Sequence, residues 1–243
     1  MFFWDCILYS FTIYILYPLS IHIRKKYREE SFTHSLARMS SSKMNDTSAP
    51  MEISTGGGAT ENKYDRQLRL WQMHGQLALL NARVLVLNSG PVATEFLKNI
   101  ILPGTGRQGV DLEGNKINGI IRIVDDAVVT KRDLGNNFFV RAEAIGRRRC
   151  DVVMETLQEL NPDDTKVTSD VQNVDNLISS NPKYFDDFTL VVGTQLSRTS
   201  ALALDEICRA RGIPLILGKI NGLIGYIRNC VNCHEVIESN PGD

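Results

Sequence analysis

The sequence lacks an excess of charge of either sign, and it lacks the paired cysteines of a disulfide framework. Its 27 Lys and Arg residues are balanced by 28 Asp and Glu residues in a chain of 243. A nucleic-acid-binding domain is normally strongly basic, so we expect no nucleic-acid partner. The 5 cysteines are odd in number and scattered along the chain, which favours a reducing compartment over secretion. An ordinary globular protein is the interpretation that these absences leave.

Long apolar runs are also absent, with one exception near the N-terminus. The segment from Cys6 to Ile23 carries no formal charge over 18 residues and is followed by the basic cluster RKKYR. That length is about the minimum for a membrane-spanning helix. We prefer the alternative that residues 1–61 are a linker-like extension, disordered or not part of the functional protein, because Ser, Thr and Gly are frequent between later methionines such as Met39. We therefore expect no membrane partner and a cytoplasmic or nuclear location, with tethering through residues 6–23 as the alternative.

From about residue 62 onward, short apolar segments alternate with amphipathic ones. The apolar segments predict strands at 83–88, 120–126, 165–169, 188–193, 213–218 and 223–231. The amphipathic segments predict helices at 66–80, 93–102, 143–160 and 199–211. This alternation is typical of a parallel sheet with right-handed crossovers. Residues 62–243 are therefore predicted to form an α/β domain, Rossmann-like, with a mostly parallel sheet and helices on both faces. The polar stretch 107–119 breaks the alternation and is predicted to be a surface loop.

The turn after the first predicted strand lacks the glycines of a phosphate-binding loop. In nucleotide-binding domains of this architecture, such glycines let the backbone approach the phosphates, and the following helix N-terminus supplies amide donors. Here only Gly90 is present, and Pro91 has no amide hydrogen to donate. We therefore expect no ordinary ATP or NAD site at this turn, since a fold can persist without its site.

Several motifs together resemble one family. They are KYDRQLRLW at 63–71, LGNNFF at 134–139, LQELNP at 157–162, VVGTQL at 191–196 and VIESNP at 236–241. With these motifs the chain resembles the regulatory, non-cysteine subunits of the neddylation-activating enzyme, within the superfamily of ubiquitin-like-modifier activating enzymes. The resemblance covers residues 62–243 and implies a ThiF-like pseudo-adenylation domain. Because family chains continue beyond the VIESNP block, the domain is expected to be incomplete at its C-terminus. A subunit of the SUMO-pathway activating enzyme is the alternative within the superfamily.

The resemblance implies that the adenylation site is degraded in this chain. Active relatives have a glycine-rich loop, an Arg-Gln pair and a magnesium-binding Asp, where this chain has respectively Gly90 with Pro91, Asn136 with Asn137, and Gln195. Neutral amides cannot offset phosphate charge, and an amide is a poorer magnesium ligand than a carboxylate. Arg149 stands at the retained basic position, either as a residual anion contact or as a charge on a solvated helix. The chain is thus expected to have no active site, cofactor or metal of its own, with ATP and Mg on the catalytic partner.

The resemblance assigns one role in trans, to Arg66. In this superfamily the Arg of the YDRQ-type motif reaches the ATP that the catalytic half binds, where it would act as an arginine finger on the phosphates. The alternative is that Arg66 caps a surface helix in an ion pair with Asp65 or Glu61, and Arg69 is a weaker supporting candidate.

The function implied by the resemblance is that of a regulatory subunit in a heterodimeric activating enzyme. The cysteine-bearing catalytic subunit would carry out ATP-dependent adenylation of a ubiquitin-like modifier and the transfer that forms a thioester. A self-sufficient adenylating enzyme that binds a nucleotide itself is the alternative from a different class.

Overall fold

The computed structural model of the chain describes residues 63–111 and 114–233. In that part of the chain there are eight strands, and their bounds are β1 (Arg83–Leu87), β2 (Gln108–Val110), β3 (Lys116–Asn118), β4 (Ile120–Val124), β5 (Val167–Asp170), β6 (Leu190–Thr194), β7 (Leu215–Asn221) and β8 (Ile224–Cys230). Six of them form one sheet in the order β5-β4-β1-β6-β7-β8. All neighbours in it are parallel except β7 and β8. The predicted α/β class with a mostly parallel sheet is confirmed.

The same residues contain five α-helices. Their bounds are α1 (Asp65–Leu80), α2 (Pro91–Ile101), α3 (Arg149–Leu160), α4 (Val174–Ser180) and α5 (Arg198–Arg211). Helices α2, α3 and α5 are the crossovers that join β1 to β4, β4 to β5 and β6 to β7. Such connections are needed because two parallel neighbours cannot be joined by a tight hairpin.

The sheet divides the core in two, because successive side chains of a strand point to opposite faces. In β1, Val84 and Val86 pack with side chains of α1, α2 and α3, whereas Leu85 and Leu87 pack with side chains of α4 and α5. All four are fully buried. A strand buried on both faces reads as a continuous apolar run, which is why its sequence shows no alternation.

The strand order places a crevice at the carboxyl ends of the strands. From β1 the chain continues to β4 and β5 on one side, and then returns to β6 on the other side of β1. In open α/β sheets, ligands bind where the order reverses in this way. The segments that follow β1, β4 and β6 are therefore the ones that decide whether a nucleotide site exists.

The structure differs from the sequence-based expectation in three places. The predicted helix 143–160 begins only at Arg149, because Gly146 adopts a positive φ of 90° and residues 147–149 bond back to the start of the loop. The stretch 107–119 holds the β2–β3 hairpin, so the prediction of a plain surface loop was wrong. Helix α4 was not predicted, since its seven residues are too few to show a helical period. Strand β8 lies at the edge of the sheet.

No helix within residues 63–111 and 114–233 is both long and apolar enough to cross a membrane. The apolar segment 6–23, and with it the predicted extension 1–61, lies outside the described residues.

Two leucines on α5 give a test of which face of this helix packs on the sheet. Leu204 is fully buried against the sheet, whereas Leu202 is 51% exposed. We expect Leu204→Ala to lower the free energy of unfolding by about 2–5 kcal/mol, because it leaves a cavity in a packed core. Leu202→Ala is the matched control and should change it by less than about 0.5 kcal/mol. Urea unfolding monitored by circular dichroism measures both, and equal losses would contradict the packing.

Candidate functional site

The crevice at the carboxyl edge is formed by four segments. They are the turn after β1, the acidic end of β4, the loop 126–148 that leads to α3, and the turn after β6. The loop closes on itself, since the amide of Val129 donates to the carbonyl of Arg147 at 2.9 Å and the amide of Gly146 donates to the carbonyl of Val129 at 3.0 Å. Val129, Val140 and Ala144 pack with Val152 of α3 in a small apolar cluster beneath it. The loop is therefore held by hydrogen bonds between its two ends and by packing against α3.

In the turn after β1, backbone amides that could bind a phosphate donate hydrogen bonds within the chain instead. The amide of Asn88 donates to the carbonyl of Val124 at 2.9 Å, and the amide of Ser89 donates to the carboxylate of Asp125 at 2.9 Å. Pro91, the first residue of α2, has no amide hydrogen. Three of the four residues from 88 to 91 thus offer no free amide to an anion.

The positive φ of this turn lies at Asn88 and not at its one glycine. Asn88 has a φ of 64°, and its side-chain Nδ2 donates to the carbonyl of Thr194 at 2.7 Å. Asn tolerates the left-handed region better than most residues, and the bond to the end of β6 holds it there. Gly90 has a φ of −76° and a ψ of −173°, an extended conformation open to any residue. The turn therefore needs no glycine where it bends most sharply.

Arg149 lies at the centre of the crevice between two carboxylates. Its Nε and Nη2 atoms each lie 2.8 Å from Oδ2 of Asp125, and its Nη1 lies 3.2 Å from Oδ1 of Asp133. The Arg149 side chain is 18% exposed and that of Asp125 only 1%. The Ser89 hydroxyl completes the group, donating to the same Asp125 oxygen at 2.5 Å. The alternative that Arg149 is a charge on a solvated helix is therefore wrong.

The charges of this network do not suit an anion. One guanidinium faces two carboxylates, so the three groups together carry a net negative charge when both acids are ionised. Burial raises the pKa of Asp133, but hydrogen bonds from the Thr130 hydroxyl and amide and the charge of Arg149 outweigh it, and the pKa lies below its ordinary value of 3.8. Asp133 is thus ionised at neutral pH. The residual anion contact expected of Arg149 stays a prediction, and the two carboxylates weigh against it.

The two asparagines of the LGNNFF motif play different parts. Asn137 is buried, donates from Nδ2 to the carbonyl of Ser89 at 3.0 Å, and accepts the amide of Phe139 at 3.1 Å. It therefore joins the loop to the turn after β1. Asn136 is exposed at the end of a short 3-10 helix, Asp133–Gly135. Neither residue carries a charge toward the crevice.

Gln195 is bound to the neighbouring strand through both atoms of its amide. Its Nε2 donates to the carbonyl of Ile220 at 3.0 Å, and its Oε1 accepts the amide of Ile220 at 3.1 Å. Its own backbone amide donates to the carbonyl of Gly218 at 2.9 Å. The side chain that stands where the resemblance implies a magnesium ligand thus ties the end of β6 to β7. Within the described residues no group of three or more His, Cys, Asp or Glu side chains could hold a metal ion.

Arg66 lies away from this network, on the first turn of α1. Its side chain is exposed and makes no ion pair or hydrogen bond with another residue of the described chain. Asp65 instead pairs with Arg69, at 2.9 Å between Oδ2 and Nη2. The alternative ion pair of Arg66 with Asp65 is therefore wrong, and the one with Glu61 lies outside the described residues. Among residues 63–111 and 114–233, the Arg66 guanidinium thus has no charged or hydrogen-bonded partner, whereas Arg69 pairs with Asp65.

Sequence reasoning did not identify Ser89, Asp125 and Asp133 as members of the site. The one signal was that the predicted strand 120–126 ends on two acidic residues, 125 and 126. Carboxylates at the carboxyl end of a parallel strand face the crevice of such a sheet. That they hold Arg149 depends on a contact between residues 24 positions apart.

These features define a class of protein, namely a Rossmann-like domain whose nucleotide crevice is filled by its own side chains. The amides of Asn88 and Ser89, the basic residue and the amide side chain at the metal position are engaged within the chain, so these residues do not fit ATP with magnesium. The chain belongs to the ThiF family, whose model matches residues 64–240.

Three relatives show how this chain compares with known proteins. It is 42% identical over 181 residues to the NEDD8-activating enzyme E1 regulatory subunit of Xenopus laevis, covering 74% of this chain and 31% of that protein. The NEDD8-activating enzyme E1 regulatory subunit AXR1 of Arabidopsis thaliana gives the same identity and coverage. The DNA damage tolerance protein RHC31 of Saccharomyces cerevisiae is 34% identical over 164 residues, which cover 68% of this chain and 42% of that protein. The chain thus spans about a third of the length of the first two relatives.

Two arginines two positions apart test the buried network. Arg149→Met would leave the buried Asp125 carboxylate without its counter-ion, so we expect a loss of about 3–5 kcal/mol in the free energy of unfolding. Arg147→Met is the matched control, because the Arg147–Glu155 pair is half exposed on both sides. Thermal unfolding should show a clear drop in Tm for the first variant and none for the second. Similar Tm values for the two variants would contradict the network.

Proposed function

We propose that this chain is the regulatory, non-catalytic subunit of a heterodimeric activating enzyme for a ubiquitin-like modifier, in the neddylation pathway. One observation carries the proposal: Arg149 of the crevice is paired with the chain's own carboxylates, while the exposed Arg66 side chain has no partner within the described residues. A domain with these features is suited to support a reaction that takes place on another subunit. The relatives in frogs and plants are named NEDD8-activating enzyme E1 regulatory subunits, which agrees with this function.

The position of Arg66 favours action on a partner over action in its own crevice. The crevice lies at the carboxyl ends of the strands, where Ser89 meets Asp125. Tyr64, two residues before Arg66, bonds to Asp164, which lies three residues before the start of β5. Helix α1 is thus anchored at the amino-terminal edge of the sheet, and the five-residue strand β1 alone separates the two edges by about 17 Å.

In the assembled enzyme, Arg66 would supply positive charge to the phosphates of the nucleotide on the catalytic subunit. A guanidinium remains protonated at every accessible pH, and its planar fork matches phosphate oxygens in two-point contacts. Charge that is positioned in advance stabilises a transition state in which charge gathers on the phosphates. The cysteine-bearing partner would hold the ATP, the magnesium and the modifier.

We also propose that this subunit works in the cytoplasm or the nucleus. Cys150, Cys208 and Cys230 are buried as free thiols among apolar side chains. Cysteines that serve as packing residues in a reduced state are typical of intracellular proteins.

The competing function is a self-sufficient adenylating enzyme that binds its own nucleotide. The engaged amides of Asn88 and Ser89 and the pairing of Arg149 with two carboxylates speak against it. Isothermal titration of Mg–ATP onto the isolated chain should show no binding, because ATP would have to displace Asp125 from both Ser89 and Arg149. Affinity in the micromolar range would overturn the assignment of a non-catalytic subunit.

The role of Arg66 is tested in the assembled heterodimer by ATP–pyrophosphate exchange. We expect Arg66→Ala to slow exchange by roughly 10²-fold, the order lost when one positioned donor to developing charge is removed. Arg66→Lys should restore only part of the rate, because an ammonium is a point charge without the fork. Assembly with the catalytic subunit, measured by size-exclusion chromatography, should not change.

Arg209→Ala is the control for this experiment. Arg209 is also an exposed arginine on a helix, but it pairs with Asp205 on α5 at 3.0 Å. Its removal should leave exchange at the wild-type rate. Unchanged exchange in Arg66→Ala would exclude the role in trans, and failure to co-purify with the catalytic subunit would exclude the proposed function as a whole.

A further inference from the structure

A polar cluster at the amino-terminal edge of the sheet has no part in the crevice. The hydroxyl of Tyr64 donates to Oδ2 of Asp164 at 2.8 Å, across 100 positions of sequence. The ammonium of Lys63 donates to the same oxygen at 3.0 Å and to Oδ1 of Asn161 at 2.6 Å. Asn161 in turn donates from Nδ2 to the carbonyl of Ile101, the last residue of α2, at 2.9 Å. We call Lys63, Tyr64, Asn161 and Asp164 the α1 clamp.

The phenol and the carboxylate of the α1 clamp are largely buried. The Tyr64 residue is 7% exposed and the Asp164 side chain 12%. Burial raises the pKa of Asp164, but hydrogen bonds from Lys63 and Tyr64 outweigh this effect, so the pKa lies below its ordinary value. Burial raises the pKa of the Tyr64 phenol well above its usual range. At neutral pH a phenol therefore donates to a carboxylate, which is a stronger bond than one between two neutral groups.

The tyrosine has little freedom to leave this position. A Cβ added to Gly104 would lie 2.7 Å from the Tyr64 hydroxyl oxygen and 3.3 Å from Cδ2 of Leu80. The backbone thus approaches the phenol closely, and Gly104 has a positive φ of 85° that other residues rarely adopt. Because Leu80 ends α1 and Tyr64 precedes its first residue, the two ends of this helix meet at Gly104.

Helix α1 changes direction at Gln72, where the backbone is not helical. This residue has a φ of 59° and a ψ of −176°, so the first half of α1, residues 65–71, is separate from the second. At the end of the first half, the indole Nε1 of Trp71 donates to Oε1 of Gln76 at 3.1 Å. The Trp71 side chain lies so close to Gly75 that a Cβ there would come within 2.8 Å of it.

The first half of α1 is the segment that carries Arg66. Its outer side is exposed, with Leu70 at 76% and Arg66 and Arg69 both in solvent. The side-chain hydrogen bonds that hold it to the rest of the described chain lie at its two ends, in the α1 clamp and at Trp71. The direction in which Arg66 extends is therefore set by these two anchors.

We propose that Asp164 is a positioning residue for Arg66: through Tyr64 and Lys63 it fixes the start of α1 and thereby aims the guanidinium at the partner-bound nucleotide. This inference rests on the proposed function. Its physical basis is that positioning lowers a barrier only if the group is held in advance, and a displacement of about 1 Å can cost as much as 10²-fold in rate. In this role Asp164 acts through Tyr64 and Lys63, the two residues whose hydrogen bonds it accepts.

The test uses the full-length regulatory subunit, assembled with its catalytic partner, in ATP–pyrophosphate exchange. We expect Asp164→Asn to slow exchange roughly 10-fold while heterodimer affinity stays the same. Tyr64→Phe, which removes only the hydroxyl, should act in the same direction and keeps the test valid if Asp164→Asn does not fold. Asp163→Asn is the matched control, because the neighbouring carboxylate is exposed, and it should have no effect.

A double-mutant cycle separates positioning from a general loss of structure. In the Arg66→Ala background, Asp164→Asn should slow exchange no further, because the group it positions is already gone. An equal loss in both backgrounds would overturn the inference, as would wild-type exchange in both Asp164→Asn and Tyr64→Phe. An effect of Arg66→Ala without any effect of the clamp variants would remove only the positioning role. The absence of an Arg66→Ala effect would remove the role of Arg66 in trans together with that of the clamp, whereas the proposed function as a whole fails only if the chain does not co-purify with the catalytic subunit.

Discussion

The ion pair between Arg149 and Asp125 joins the segments that meet at the carboxyl edge of the sheet. Asp125 ends the β4 segment and binds the amide and hydroxyl of Ser89 in the turn after β1. Arg149 begins α3 and reaches Asp133 in the loop that precedes it. A buried charge is tolerated only when it is paired and its remaining hydrogen-bonding capacity is met. Turn, loop and helix therefore have to be in place together, and the rest of the crevice follows from that requirement.

The same requirement shows how a fold of this kind can keep its crevice closed by internal bonds. A nucleotide site needs free amides, a free cation and a free metal ligand, whereas this crevice uses its amide at Ser89, its cation at Arg149 and its amide side chain at Gln195 internally. Each of these bonds holds neighbouring segments together. The groups that an active domain would direct at a ligand are here bonded to other parts of the protein, whereas Arg66 on α1 is exposed.

The elements that could be predicted are those whose signal is local. Strand β1 and helix α5 show as an apolar run and an amphipathic period, and both were predicted within two residues of their bounds. The start of α3 and the β2–β3 hairpin were not. Helix α3 begins only at Arg149, because Gly146 has a positive φ and the amide of Arg149 donates to a carbonyl at the start of the loop. Boundaries of this kind depend on hydrogen bonds between segments, and such bonds leave no period in the sequence.

Some features of the candidate site could likewise be predicted from the sequence, and others could not. The missing glycines, the lack of an amide hydrogen at Pro91 and the neutral Gln195 could be read directly, because each is a property of one residue. By sequence alone, then, this chain is determined to be a mostly parallel α/β domain without the parts of a phosphate loop. Only the tertiary structure decided what replaces those parts. The pair of Arg149 with Asp125, the bond of Gln195 to Ile220 and the bond of Tyr64 to Asp164 join residues 24, 25 and 100 positions apart. Folding alone brings such residues together.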